Sequence, residues 1–208
     1  MSDIPTSLPE AEEEYEKSAP ADRALEGPLD EHEAGAIKPS VDLGSLRIEP
    51  RRGMQLRLEI EKTNSRVVAV TLEYKGSTVQ LQPFAAPRSS GLWHGIRAQI
   101  GDQIRTQGGT ATEAEGPFGP EIQAVVPVQA EGKFGTRPVR FVGIDGPRWF
   151  LRAVIGGPAA TQSEDAESIH QIIRSVVVAR GATPMPPRDL LPLRVPATPE
   201  DSSALSAQ

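Results

Sequence analysis

Short stretches in which apolar and polar residues alternate, separated by turn-forming residues, constrain this chain more than any other feature. From Met54 to Glu61 the apolar side chains Met, Leu, Leu and Ile occupy every second position. Because side chains alternate between the two faces of a strand, this spacing predicts a strand with one buried and one solvated face. The stretches 66–74 and 78–84 continue the pattern after short turns, which predicts an antiparallel meander. Residues 43–48 are predicted to add an edge strand before it.

A second group of strand-like stretches follows further along the chain. Apolar or alternating runs predict strands at 110–115, 121–128, 137–145 and 148–155. Asp-Gly-Pro at 145–147 supplies the turn between the last two, because glycine adopts the positive φ that tight hairpin turns require. The last of these strands is apolar on both faces, so it is predicted to lie between two layers.

Two segments repeat apolar residues at the spacing of a helix instead. The first is predicted to begin after Ser89 or Ser90, whose hydroxyl can cap the free amides, and to end at the glycine pair 108–109. Its apolar stripe consists of Leu92, Trp93, Ile96, Ile100 and Ile104. The second helix is predicted to begin at the cap residue Ser163 and to end at Gly181. Strand groups that are each followed by a helix predict an α+β fold, an antiparallel β-sheet of about six to eight strands packed with two main helices.

The two ends of the chain differ from the middle in composition. Residues 1–35 hold eleven acidic and two basic side chains, so they carry −9 while the remaining chain carries +3. We therefore expect a disordered acidic arm at 1–39 and a single α+β domain at 40–182. The segment 183–199 contains six prolines and is predicted to pack on the domain through Leu191 and Leu193. The tail 200–208 is predicted to be disordered.

Several kinds of chemistry find no support in the residues. The chain has no cysteine and three histidines, which excludes disulfides, thiolate nucleophiles and cysteine-ligated metals. The glycine pairs lack the Lys-Ser/Thr that follows in a phosphate-binding loop, and no Gly-X-Ser-X-Gly elbow occurs. His94 and His170 fall on different predicted helices, and Glu113, Glu115 and Glu121 are interpreted as exposed strand acids. We expect no cofactor and no metal site, and we identify no catalytic residue.

The hydropathy of the chain bears on its location. No run approaches the ~18 continuous apolar residues of a transmembrane helix, so no contact with a membrane is expected. The opening residues Met-Ser-Asp-Ile-Pro lack the basic start and apolar stretch of a signal peptide. These features lead us to expect a cytoplasmic protein.

Arginine is the one residue type that suggests a binding surface. The candidate interaction residues are Arg137, Arg140, Arg148, Arg152, Arg188 and Arg194. A guanidinium group forms bidentate contacts with phosphate or carboxylate, so one interpretation is a surface for anions or nucleic acid. The other interpretation is that these arginines pair with Glu and Asp on neighbouring strands.

Several longer motifs are similar to those of one known family. They are Leu43-Gly-Ser-Leu-Arg47, the Pro83–Trp93 stretch with Arg-Ser-Ser-Gly-Leu-Trp, Gly116-Pro-Phe-Gly119, the Arg140–Arg152 stretch with Gly-Pro-Arg-Trp-Phe-Leu-Arg, and the Pro184–Arg194 stretch with Pro-Met-Pro-Pro-Arg-Asp. Together they resemble, over residues 40–196, the actinobacterial family catalogued as domain of unknown function 3710. The resemblance implies no activity, ligand or site residue. The Gly-X-Arg-Trp-X-Leu hairpin followed by a helix is also similar to PsbP-like sheets sandwiched by helices, which concerns the fold alone.

Three functions remain open at this point. The first is a non-catalytic interaction module that binds an unknown protein partner in the groove between sheet and helix or at the arginine-bearing hairpin. The second is a nucleic-acid or anion-binding protein gated by its acidic arm. Removal of the arm would then raise the affinity for DNA or RNA. The third is an enzyme or small-ligand protein whose site is assembled in space, which a deep pocket with convergent polar groups would favour.

Overall fold

Strands and two longer helices make up the core of the protein. The structure is a computed structural model, and it describes residues 14–35, 39–130 and 133–196. In chain order the elements are α1 (Arg23–Glu26), β1 (Leu29–Asp30), β2 (Val41–Asp42), β3 (Leu46–Ile48), β4 (Gln55–Ile60), β5 (Val67–Tyr74), β6 (Ser77–Ala85), α2 (Trp93–Thr106), β7 (Thr110–Gly116), β8 (Gly119–Ala130), β9 (Lys133–Asp145), β10 (Trp149–Gly156), a 3-10 turn (Pro158–Ala160), α3 (Ser163–Arg174) and β11 (Val177–Val178).

The longer strands form one antiparallel sheet of seven strands in the order β4-β5-β6-β10-β9-β8-β7. The two predicted strand groups join where β6 pairs with β10, with Leu81 opposite Ala153. The short strands form a second sheet in the order β1-β11-β3-β2, in which β1 runs parallel to β11. The predicted α+β class, an antiparallel sheet with two main helices, is confirmed.

The seven-stranded sheet is covered on both faces because its central strands are apolar on both sides. In β10, Trp149 and Leu151 pack in the same buried cluster as Ile169 of α3. Between them, Phe150 stacks against Trp93 of α2 at a ring distance of 6.0 Å. Successive side chains of a strand point to opposite faces, so the two helices lie on opposite sides of the sheet.

Helix α2 is capped from a distant turn. The residue before its first turn, Leu92, makes no side-chain capping bond. The carboxylate of Asp145, at the end of β9, accepts the backbone N–H of Leu92 at 2.9 Å and that of Ser18 at 3.0 Å. The predicted cap at Ser89 or Ser90 is therefore wrong, because an anion at the positive end of the helix takes its place.

Helix α3 ends at Arg174, earlier than the predicted end at Gly181. The β-branched residues Val177 and Val178 form β11 instead, and Val178 lies opposite Leu46 of β3. The predicted cap Ser163 is instead the first helical residue, and Gln162, which holds the cap position, makes no side-chain capping bond. Among the described residues, no helix combines the length and the apolar character needed to cross a bilayer.

Residues 14–35 lie against the domain, although the arm 1–39 is predicted to be disordered. β1 pairs with β11, and the carboxylate of Asp30 accepts the indole N–H of Trp149 at 2.9 Å. The prediction considered only the few large apolar side chains of the arm, whereas the arm is held by its backbone and by polar groups that satisfy buried donors of the domain. The remainder of the arm lies outside the described residues.

The proline-rich segment 183–199 follows the surface of the domain in its described part. Leu191 and Leu193 are buried, in agreement with the expectation that they anchor the segment. The backbone N–H of Leu191 donates to the carbonyl of Pro83 at 2.9 Å, which ties the segment to the end of β6. The tail 200–208, predicted to be disordered, lies outside the described residues.

Candidate functional site

A cleft of about 730 Å³ opens where α3 and the 3-10 turn leave the outer strands β7, β8 and β9 uncovered. We call it the α3 cleft. Its floor includes Thr110, Thr112, Gln123, Val125, Pro138 and Arg140 from the three strands. Its wall includes Thr161, Gln162, Ser163, Ala166, Glu167 and His170 from the start of α3 and the residues before it.

A buried ion pair lies at the inner end of the α3 cleft. Arg140 donates to the two carboxylate oxygens of Glu121 at 2.9 and 2.8 Å. Only 1% of Glu121 and 9% of Arg140 is exposed to solvent. Gln123 donates a further hydrogen bond to the carboxylate at 3.2 Å. The two charges therefore largely satisfy each other, and the pair fixes the floor of the cleft.

His170 faces the α3 cleft from the wall. Its Nε2 is buried and has no hydrogen-bond partner among the described residues. Burial lowers the pKa of His170, and the positive charge of Arg140 lowers it further. The imidazole is therefore neutral at neutral pH. Phe118, from the β7–β8 turn, packs edge-on against the ring at 5.7 Å between ring centres.

Acidic and hydroxyl groups make up most of the polar part of the lining of the α3 cleft. In the part of the chain that the structure describes, the charged residues that line it are three carboxylates, Glu115, Glu121 and Glu167, and the single guanidinium of Arg140. The neutral polar lining comes from threonine, serine and glutamine side chains. Among the described residues, no group of three His, Asp or Glu side chains is placed to hold a metal ion. The arrangement suits a neutral or positively charged ligand better than an anion.

Strand β7 borders the α3 cleft and is an edge of the seven-stranded sheet. It pairs with β8, and Gly116 lies opposite Gly119 at the closing turn. The guanidinium of Arg105 in α2 donates to the carbonyl of Ala111 at 3.2 Å. Pro120, which lies opposite Glu115, has no N–H to donate, so the backbone groups of Glu115, and by alternation those of Ala111, point away from β8.

The arginines that flank the β9–β10 turn do not share one surface. Arg140 lies in the α3 cleft, and its pairing with Glu121 confirms the interpretation of a cross-strand ion pair. Arg152 points to the opposite face of the sheet, where it is buried 5.6 Å from the ring of Phe84. Burial there lowers the pKa of Arg152 to about 10. Arg137 is exposed on β9.

The other three candidate arginines lie near the proline-rich segment. Arg148 donates to the carbonyl of Gly181 at 3.5 Å. Arg188 adopts a positive φ of 75°. Arg194 pairs with Asp42 at 2.8 Å in an exposed ion pair. The six arginines thus do not form one surface. Alternation along β9 and β10 sends Arg140 and Arg152 to opposite faces of the sheet.

The sequence analysis did not identify the two groups that matter most in the α3 cleft, the carboxylate of Glu121 and the imidazole of His170. Glu121 was expected to be exposed, but it is buried by its pairing with Arg140. His170 carried no local signal, because its neighbours in the cleft come from strands far away in the chain. The register that places Gln123 opposite Arg140 could not be read from either strand alone.

Comparison with known proteins identifies a family but no characterised relative. A family model described as "Protein of unknown function (DUF3710)" matches residues 27–202, which is most of the chain. No curated protein and no solved structure matches the chain. The likeness to PsbP-like sheets therefore stays a prediction.

Proposed function

The chain belongs to the DUF3710 family, whose description assigns no activity, and we propose that it is a non-catalytic protein-binding module whose partner occupies the α3 cleft. The observation that carries this proposal is the position of the cleft beside the sheet edge β7. A segment of a partner that enters there meets side chains of α3 and the open backbone of a strand together. Sheet edges of this kind bind extended polypeptides.

The lining of the α3 cleft fits a polypeptide better than a nucleic acid. Carboxylates outnumber the guanidinium in the lining, and they would repel phosphates. The alternative, a nucleic-acid or anion binder gated by the acidic arm, also requires arginines that converge, whereas the six candidates are divided between faces. Threonine, serine and glutamine side chains supply donors and acceptors for a peptide backbone, and the exposed side of Val125 adds apolar contact.

An enzyme with a site assembled in space is the third possibility. The α3 cleft does bring polar groups together, as that hypothesis requires. Arg140 and Glu121, however, direct their charged edges at each other. His170 then remains, and its lowered pKa follows chiefly from burial, which requires no catalytic role.

The test blocks the cleft and leaves the opposite edge of the sheet intact. Thr112→Trp fills the floor of the α3 cleft, whereas the matched control Gln55→Trp places the same bulk on β4, an exposed strand at the other edge. Each full-length variant is used as bait in quantitative affinity capture from lysate. We expect one partner to be retained by the parent chain and by Gln55→Trp and to be lost from Thr112→Trp. Equal capture by both variants, or no specific capture by the parent chain, contradicts the proposal.

A further inference from the structure

The free edge of β7 indicates what kind of partner segment the α3 cleft accepts, and this inference rests on the proposed function. We propose that the segment is extended and basic, and that it joins the seven-stranded sheet as an additional strand next to β7. The argument uses the direction of the backbone groups of β7 and the charges around it.

No described strand pairs with the outer side of β7, so its backbone presents hydrogen-bonding groups there at alternate residues. In an antiparallel pair, residues alternate between those bonded to the partner strand and those that point away. Because Pro120 lies opposite Glu115 and has no N–H to donate, the two residues cannot exchange a bonded pair, and Glu115 belongs to the second set. The alternation assigns Glu113 and Ala111 to the same set, and the carbonyl of Ala111 accepts the side chain of Arg105 there. An added strand would therefore bond to the backbone of these residues.

The charges on either side of β7 select a basic segment. Glu113 lies on the α2 side, where it is 57% exposed although it pairs with Arg97 at 3.2 Å. Glu115 is two residues further along the strand, so its side chain leaves the same side as that of Glu113, and it also borders the α3 cleft, whose wall carries Glu167. Side chains of an added strand alternate between these two sides. Lysine or arginine at its alternate positions would meet carboxylates, and each opposite-charge pair across strands is worth about 0.2–1 kcal/mol.

Two other occupants of the edge conflict with its charge. A second copy of the chain, paired through β7, would bring Glu113 and Glu115 of both copies close to one another, which is unfavourable. The acidic residues 1–13 of the same chain would meet the same carboxylates. A basic segment of a different protein is the occupant that the charges favour.

The experiment uses isotope-labelled full-length protein and a defined peptide, Lys-Val-Lys-Thr-Lys-Val-Lys, with the matching glutamate peptide as control. We expect the lysine peptide to bind and to slow amide exchange at Ala111, Glu113 and Glu115 by about tenfold or more. We expect no binding of the glutamate peptide. Protection elsewhere, or equal binding of both peptides, overturns the inference.

A pair of variants at one position separates strand addition from charge attraction. Glu113→Pro removes an outward N–H that makes no bond to β8, and proline is tolerated at such edge positions. Glu113→Thr removes the same carboxylate but keeps the N–H. We expect the peptide to bind Glu113→Pro at least about tenfold more weakly than Glu113→Thr, and equal affinities would overturn the inference. If Glu113→Pro does not fold, the exchange pattern of the parent chain decides.

The proposed function and this inference fail in different ways. If Thr112→Trp loses its partner but the lysine peptide gives no protection at β7, the cleft binds a protein by another mode and only the inference fails. If Thr112→Trp keeps its partner, the proposed function itself fails.

Discussion

Removal of one partner from the buried pair of Arg140 and Glu121 tests whether the floor of the α3 cleft is as desolvated as the structure indicates. The change is Glu121→Gln, which keeps the shape of the side chain and removes its charge. Glu121 is 1% exposed and Arg140 is 9% exposed, and two hydrogen bonds of 2.9 and 2.8 Å join them. The variant therefore leaves a guanidinium group buried without a counter-charge.

The expected loss follows from this burial. An uncompensated buried charge lowers the free energy of unfolding by about 3–5 kcal/mol. The double variant Glu121→Leu with Arg140→Met removes both charges, and we expect its stability to return to within about 1 kcal/mol of the parent or above it. The control Asp42→Asn breaks a pair whose side chains are 47% and 66% exposed, so it should cost no more than about 1 kcal/mol.

Urea unfolding, followed by the fluorescence of the buried Trp93 and Trp149, measures all four proteins. The reasoning is refuted if Glu121→Gln lowers the unfolding free energy by less than about 1 kcal/mol, because the pair would then be solvated. It is also refuted if the double variant is as unstable as the single one, since the loss would then come from packing rather than from an unpaired charge.

Three further predictions concern other parts of the structure. Gly143→Ala should destabilise the protein by about 1–3 kcal/mol in urea unfolding, because the added Cβ would lie 2.2 Å from the ring of Trp93; an unchanged midpoint contradicts this contact. Asp145→Ala should cost about 1–3 kcal/mol, because three backbone N–H groups, including those at the start of α2, lose their acceptor, and thermal unfolding checks it. The lowered pKa of His170 means that the unfolded chain binds a proton more readily than the folded one, so stability should be full above about pH 6.5 and should fall as the pH drops through the lower folded-state value. Urea titrations across that range should lose part of this slope in His170→Asn, and an identical slope would contradict the assignment.

Much of the fold could be predicted because its information is local. Alternation in the chain gives the strands, and the apolar stripe that includes Trp93 and Ile96 gives α2. The cap of α2 could not be predicted, because its donor and acceptor lie 53 residues apart at Leu92 and Asp145. The same holds for the arm, whose Asp30 meets Trp149 across 119 residues.

The candidate site was harder to predict, because it depends on register and on packing between elements. The strand that carries Arg140 was predicted, but its position opposite Gln123 was not, so the pairing with Glu121 remained hidden. The groove between sheet and helix was expected as a binding place in general terms. Its location between α3 and the outer strands depends on how far α3 extends over the sheet, which no local pattern encodes.

Hydrogen–deuterium exchange of the full chain, with and without the partner recovered by capture, tests most directly whether the α3 cleft and the β7 edge form the binding site. The account predicts protection of Thr110–Gly116 and of the first turns of α3 on binding, with no change at Gln55–Ile60 on the other edge. Protection confined to Gln55–Ile60 or to the α2 face of the sheet would contradict it.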